Sequence, residues 1–430
     1  MTRSLVIRGG RVVDPSQSYD AVCDILLVDG IISAMGEGLD APDEAQEITA
    51  TDLLVTPGLI DVHVHLREPG GEHRETIASG ARAAAAGGFT AICAMPNTHP
   101  VVDDPAGVGF VLAQAAAARA ARVYPIGAIS IGQEGKQLAA IGEMVEAGAV
   151  GITDDGRPVM DSGLMRMALS YARAFDIPVA DHPEDLGLSN RGVMNEGLVA
   201  TRLGLRGKPN ASEEVHIVRD LLLAELTGGR IHVQHVSTAY GVEAIREAKT
   251  KGVRVTAEAT PHHLILTDER VEGYDTNAKM NPPLRSPSDR DAVQMGLVDG
   301  TLDVYATDHA PHHYDEKEQA FDDAPDGIVG LETSLGLGLT HIVGKGLIDL
   351  PTLIDRMSCG PARAFGLPGG TLAIGAPADV TIIDPKELWM VDRDIFISKS
   401  RNTPFHASEL KGRARYTIVS GVIVWKLGID

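Results

Sequence analysis

Cysteine is scarce in this chain. Cys23, Cys93 and Cys359 are the whole complement, far apart and without a CxxC pair. That argues against a disulfide framework and points to a reducing, cytoplasmic setting. Long hydrophobic runs are missing too. No stretch of about 18 apolar residues marks a membrane span. The opening Met1-Thr-Arg-Ser-Leu-Val-Ile-Arg-Gly-Gly10 lacks the long apolar core of a secretory signal. Positive charge is short as well: 38 Lys and Arg stand against 59 Asp and Glu, for a formal net charge of −21. Such a balance disfavours nucleic acid or an anionic membrane as partner. It does not bear on a small anionic substrate, because cationic groups inside a pocket outweigh a screened global field.

What is present is length, glycine and apolar residues. With 430 residues, 44% of them hydrophobic, the chain can bury a large core. Its 47 glycines and 24 prolines are spread along it, as in a loop-rich α/β enzyme. The ends read as short strands. Leu5–Val13 predicts a hairpin around Gly9-Gly10, Ile25–Ile32 another around Asp29-Gly30, and Tyr416–Trp425 a third around Ser420-Gly421. The middle alternates short apolar, β-branched runs with alanine- and leucine-rich stretches. Strands are expected near 90–95, 149–153, 177–180, 231–235, 253–258 and 304–307. Helices are expected over 76–86, 107–121, 163–175, 213–227 and 241–251, and the alanine runs 83–86 and 115–121 should be close-packed. Repeated β-then-α units predict a parallel sheet, most economically a (β/α)8 TIM-like barrel over 57–368. A small β-sandwich domain is expected from 1–56 plus 369–430.

Chemistry in such a barrel gathers where strands end. At one such end stands Asp61-Val-His-Val-His-Leu-Arg67. Side chains alternate along a strand, so His63 and His65 share a face and can grip one ion. A bare HxH is more often a pair of satisfied polar residues; its place at the end of an apolar strand favours the metal. A second apolar strand ends in Asp308, within Ala306-Thr-Asp-His-Ala-Pro-His312. A carboxylate there can bind a metal and accept a proton from water. His182, His235 and the pair Asp154-Asp155 also follow predicted strands. Each alone reads as structural, but together they make a ligand set. By chemistry either Asp154 or Asp155 could bridge two ions. His232 faces away from His235 and is left out. A donor set of nitrogen and oxygen without cysteine suits zinc and tolerates manganese or cobalt.

Taken together, these stretches resemble the amidohydrolase superfamily and, within it, the class I dihydroorotases. The resemblance spans nearly the whole chain and is most specific at Lys279-Met-Asn-Pro-Pro-Leu-Arg285 and Ala306–His312. It implies a metal-dependent hydrolase that interconverts dihydroorotate and N-carbamoyl-L-aspartate in pyrimidine biosynthesis, through a metal-held hydroxide with Asp308 as acid and base. It implies one or two zinc ions: His63, His65 and Asp308 on the first, His182 and His235 on the second, and Asp155 between them. Arg67, Asn97 and His312, beside His65, would hold the substrate carboxylate. Asn281, Asp326 and Gly327 would meet the ring amides. The chain departs from the family where Asp326 replaces a usual aromatic residue, which favours a backbone contact there. It also lacks a lysine at the fourth strand's end; Lys136 and Lys208 lie in other contexts. Residues 313–330 read either as a solvated loop or as one that packs on substrate.

Other readings are a hydantoinase or allantoinase, and a silent dihydroorotase-like scaffold for aspartate transcarbamoylase. The complete ligand set argues against the scaffold, while association with that enzyme is compatible with activity. A homo-oligomer is expected.

Overall fold

A computed structural model describes residues 4–428. The fold is mixed α/β, and the chain opens with β1 (Ser4–Asp14), β2 (Tyr19–Val28), β3 (Ile31–Gly36), β4 (Gln46–Thr49) and β5 (Leu54–Pro57). The Asp29-Gly30 hairpin forms, with φ of 49° and 84° at its two turn residues. The hairpin expected at Gly9-Gly10 does not. β1 continues through both glycines, and its register with β2 shifts between Ile7 and Gly10. The reason is packing: a Cβ on Gly10 would lie 2.5 Å from the Val55 side chain. That glycine admits a neighbouring strand and does not reverse the chain.

The middle carries β6 (Leu59–Val64), β7 (Phe89–Ala94), β8 (Arg122–Pro125), β9 (Ile152–Thr153) and β10 (Pro178–Asp181). A short pair follows, β11 (Met194–Asn195) with β12 (Gly207–Lys208), then β13 (Arg230–Val233), β14 (Val255–Ala259) and β15 (Val304–Tyr305). All pairings in the orders β6-β7-β8 and β9-β10-β13-β14-β15 are parallel. Parallel bridges Gly127–Ile152 and Val64–His309 connect the two groups at both edges. Strands buried on both faces explain the unbroken apolar runs of the sequence.

Between these strands lie α1 (Ile77–Ala86), α2 (Pro105–Ala118), α3 (Ile141–Ala147), α4 (Ser162–Ala172), α5 (Ala211–Thr227), α6 (Ala239–Thr250) and α7 (Pro287–Val298). Local chemistry sets their starts. Thr76 and Ser79 form a reciprocal cap on α1, and Asp104 caps α2 ahead of Pro105. α2 therefore begins earlier than its apolar pattern suggested and stops at Arg119, whose φ is 49°. Ala83, Ala84 and Ala85 are buried, but Ala116 and Ala117 are exposed, so the second alanine run is not close-packed.

The chain closes with β16 (Val380–Met390), β17 (Glu409–Val419) and β18 (Val422–Lys426). β16 pairs with β5, and the order is β18-β17-β16-β5-β1-β2-β3, with β4 on β1. Both ends of the chain thus share one eight-stranded sheet with its own apolar cluster, including Ile7, Ile25, Val55, Val380 and Ile418. Residues 1–3 and 429–430 of the expected terminal domain lie outside the described residues. Among the described residues no helix is long and apolar enough to cross a membrane.

Candidate metal centre and active site

His63 lies in β6, and His65 just beyond it. Asp155 follows β9, His182 follows β10 directly, His235 follows β13 and Asp308 follows β15. All six therefore stand at the C-terminal ends of parallel strands, and all six are buried. Asp155 is their hub. Its Oδ1 lies 3.5 Å from His63 Nε2, 3.5 Å from His182 Nδ1 and 3.8 Å from His235 Nε2, and its Oδ2 lies 3.3 Å from His65 Nε2. Asp308 Oδ1 lies 3.2 Å from His65 Nε2 and 3.5 Å from His63 Nε2. Asp154 points elsewhere: it accepts from the backbone N–H groups of Ile129 at 2.8 Å and Ser130 at 3.1 Å, and shapes the loop.

These side chains fit divalent ions. Ligands about 2.0 Å from a tetrahedral zinc lie about 3.3 Å from one another, close to the spacings around Asp155 and Asp308. His63 Nε2 and His235 Nδ1 are buried without a hydrogen-bond partner. His182 Nδ1 and His235 Nε2 face each other at 2.8 Å, an approach that suits two lone pairs aimed at a common cation. Burial lowers the affinity of His63 for a proton, yet Glu258, Asp308 and Asp155 hold it well above its ordinary value. His182 is likewise pushed up to about 10, against burial, by Asp155 and Glu184. Burial raises the Asp308 carboxyl, but His63 and His65 outweigh it and leave Asp308 below the usual carboxylate value. The field at this centre favours positive charge.

Three positioning residues escaped the reading of the sequence. Glu258, in β14, sits 2.5 Å from His63 Nδ1, accepts from the His235 backbone N–H at 3.0 Å, and contacts His232 Nε2 at 3.0 Å. One carboxylate thus orients two candidate ligands and engages His232, the histidine left out because it faces away. Glu184 Oε2 meets His182 Nε2 at 3.1 Å, while Lys208 donates to Glu184 at 2.9 Å and to Asn281 Oδ1 at 2.7 Å. Glu258 lies in the strand expected over 253–258, but only tertiary contact reveals its three partners.

A cleft of about 540 Å³ opens above the centre. His65, Arg67, Asn97, Asn281, His312, Asp326 and Gly327 all line it, and Arg157, unanticipated, joins them. Asn97 Oδ1 lies 2.9 Å from His65 Nδ1, and its amide donates to Asp155 at 3.4 Å. Arg67 donates to the Pro311 carbonyl at 3.1 Å and lies 3.3 Å from His312 Nε2. The Asp326 side chain is exposed, whereas its carbonyl accepts from His312 Nε2 at 2.8 Å. Gly327 has φ of 124°, and a Cβ there would meet Ala310 at 2.6 Å, so the close approach requires glycine.

Solved structures share this architecture. The chain matches L-hydantoinase (dihydropyrimidinase) from Arthrobacter aurescens with a TM-score of 0.90 and 28% identity, covering 100% of this chain and 97% of that one. It matches D-hydantoinase (dihydropyrimidinase) from Thermus sp. with a TM-score of 0.84 and 25% identity, covering 99% and 97%. Fold and site together define a metal-dependent cyclic amidohydrolase. The family model for Dihydro-orotase-like proteins matches residues 52–240. Dihydroorotase of Geobacter sp. (strain M21) is 52% identical over 425 residues, covering 99% of this chain and 100% of its own. That of Anaeromyxobacter sp. (strain K) is 55% identical over 430 residues, covering 100% and 99%. The chain belongs to the dihydroorotase family.

Proposed function

We propose that the chain acts as a dihydroorotase at a two-metal centre, opening dihydroorotate to N-carbamoyl-L-aspartate and running the reverse cyclisation. The observation that carries this reading is the cleft, where Arg67, Asn97 and His312 stand beside a converged set of four imidazoles and two carboxylates. His63, His65 and Asp308 would hold one ion, His182 and His235 the other, and Asp155 would touch both. Zinc is the ion this donor set suits best. When bound, the ions would supply Lewis acidity, for activating water as the nucleophile and for polarising the ring carbonyl.

The chain's own residues do the rest. Arg67 offers a planar fork to the substrate carboxylate, supported by Asn97 and His312. The ring is met by Asn281, the Asp326 carbonyl and the Gly327 backbone. Asp308 stands 3.2 Å from His65 Nε2 at the floor of the cleft. It accepts the proton of the attacking water and returns it to the ring nitrogen as the C–N bond breaks. In cyclisation the same carboxylate runs these transfers backwards.

The fold assigned here is a (β/α)8 barrel over 57–368, supported by the two parallel bridges that bring the strand order back to β6. The strands of 1–56 and 369–430 would curl into a small sandwich around their own apolar cluster. A cytoplasmic homo-oligomer, able to associate with aspartate transcarbamoylase, completes the proposal.

The test is turnover of dihydroorotate and of N-carbamoyl-L-aspartate with and without added zinc, with hydantoin and allantoin alongside. Zinc-dependent turnover of dihydroorotate alone supports the assignment. Turnover of hydantoin in its place would favour the second reading, which the L-hydantoinase likeness supports.

A further inference from the structure

Lys208 stands apart among the buried polar groups around the centre. It ends β12, in the short strand pair, and is 8% exposed. Arg285, itself buried, holds that pair by donating to the Lys208 carbonyl at 2.9 Å and to Asn195 Oδ1 of β11 at 3.2 Å. The Lys208 side chain then closes a ring of three hydrogen bonds. Its Nζ donates to Glu184 Oε1 at 2.9 Å and to Asn281 Oδ1 at 2.7 Å, while Asn281 Nδ2 donates to Glu184 Oε2 at 2.7 Å.

This ring admits one orientation of the Asn281 amide. An ammonium only donates and a carboxylate only accepts. Turning the amide over would set its NH2 against Lys208 and its oxygen against Glu184. Two repulsive contacts would replace two charge-assisted bonds. The amide oxygen is therefore occupied by Lys208, and one amide hydrogen by Glu184. The same nitrogen lies 3.1 Å from His182 Nε2, but that atom gives its own hydrogen to Glu184 Oε2, at 3.1 Å, when His182 Nδ1 faces an ion. Asn281 lines the cleft, so its second hydrogen is left for a ligand.

We infer that Lys208 is a positioning residue that sets specificity: it fixes Asn281 as a donor, so the ligand group facing Asn281 is a carbonyl oxygen and not a ring N–H. In a cyclic ureide that group is the urea carbonyl, since the other ring carbonyl is the one attacked at the centre. Without Lys208 the amide can present either pole, and the preference is lost. This inference rests on the dihydroorotase reading and names the ring atom that the site recognises.

The test compares dihydroorotate with its analogue carrying a thiocarbonyl, a poor acceptor, in place of the urea carbonyl. At saturating zinc the exchange should lower kcat/KM of the wild-type enzyme about 10-fold. Lys208→Met should lower kcat/KM on dihydroorotate by a similar factor, yet shrink the thiocarbonyl penalty to about 2-fold, because the two changes remove one contact. An equal penalty in wild type and variant would make Lys208 merely structural and overturn the inference, as would a wild-type enzyme indifferent to the thiocarbonyl. If Lys208→Met does not fold, Lys208→Gln, which both donates and accepts, carries the same comparison. A wild-type enzyme that opens hydantoin and not dihydroorotate would overturn the dihydroorotase reading alone. Hydantoin against 2-thiohydantoin would then decide the role of Lys208.

Discussion

Asp308 illustrates how one residue can be placed by sequence and explained only by structure. Its position at a strand end marks it as a candidate ligand. Its contacts with His63 and His65 show why its carboxyl is held ionised and able to take a proton. Asp308→Ala should lower turnover by about 10³-fold or more, since general acid–base transfer alone contributes roughly 10²–10⁴; steady-state kinetics on folded variant protein reads this. A variant that retains wild-type turnover removes Asp308 from the reaction. Glu258 makes a different point. It does not line the cleft itself, but it sets the tautomer of His63 and anchors the His235 backbone. Glu258→Gln keeps the shape and weakens both contacts. Metal affinity, measured against a chromophoric chelator, should fall about 10- to 100-fold. An unchanged affinity would make Glu258 purely structural.

The elements were more legible than the contacts between them. Helix positions were close to those expected, and where α2 differs, starting at Pro105 and not at 107, the reason is local: Asp104 caps it by a hydrogen bond three residues on. The Gly9-Gly10 hairpin failed for the opposite reason: the demand for glycine came from Val55, 45 residues away. A similar long-range tie joins Glu332 to the backbone N–H groups of Ile397 and Ser398, at 2.9 and 3.0 Å. Burial raises this carboxyl to about 7 from its ordinary 4.5, against the pull of those two donors. The unfolded chain therefore releases its proton first, and stability falls as pH rises from about 4.5 to 7. Glu332→Gln should flatten that part of the stability–pH profile. Thermal melts at pH 5 and pH 8 decide it: an equal wild-type–variant gap at both values would contradict the linkage.

At the scale of the whole molecule, four imidazoles from three separate strands meet two carboxylates from two more. Ions shared among them would tie these strands together. Stripping the metal with a chelator should abolish turnover and lower the melting temperature, and zinc should restore both. Loss of activity with an unchanged melting curve would show that the ions serve the reaction without holding the strands.

The sequence by itself determined the kind of chemistry. Period-two and period-3.6 patterns are local, so strands and helices could be read along the chain, and polar residues placed at strand ends nominated the ligands. It also held the resemblance that named the family, because MNPPLR and ATDHAPH are contiguous. What it left open was decided by tertiary contact. Asp154 and Asp155 are neighbours with the same carboxyl group; the resemblance favoured Asp155, and the physical difference lies in the loop that turns Asp154 toward the Ile129 and Ser130 amides and Asp155 toward four imidazoles. The Gly10 packing against Val55 and the Glu258 link between β6 and β13 belong to the same class. Each depends on residues distant in the chain, and distance in sequence carries no signal of proximity in space.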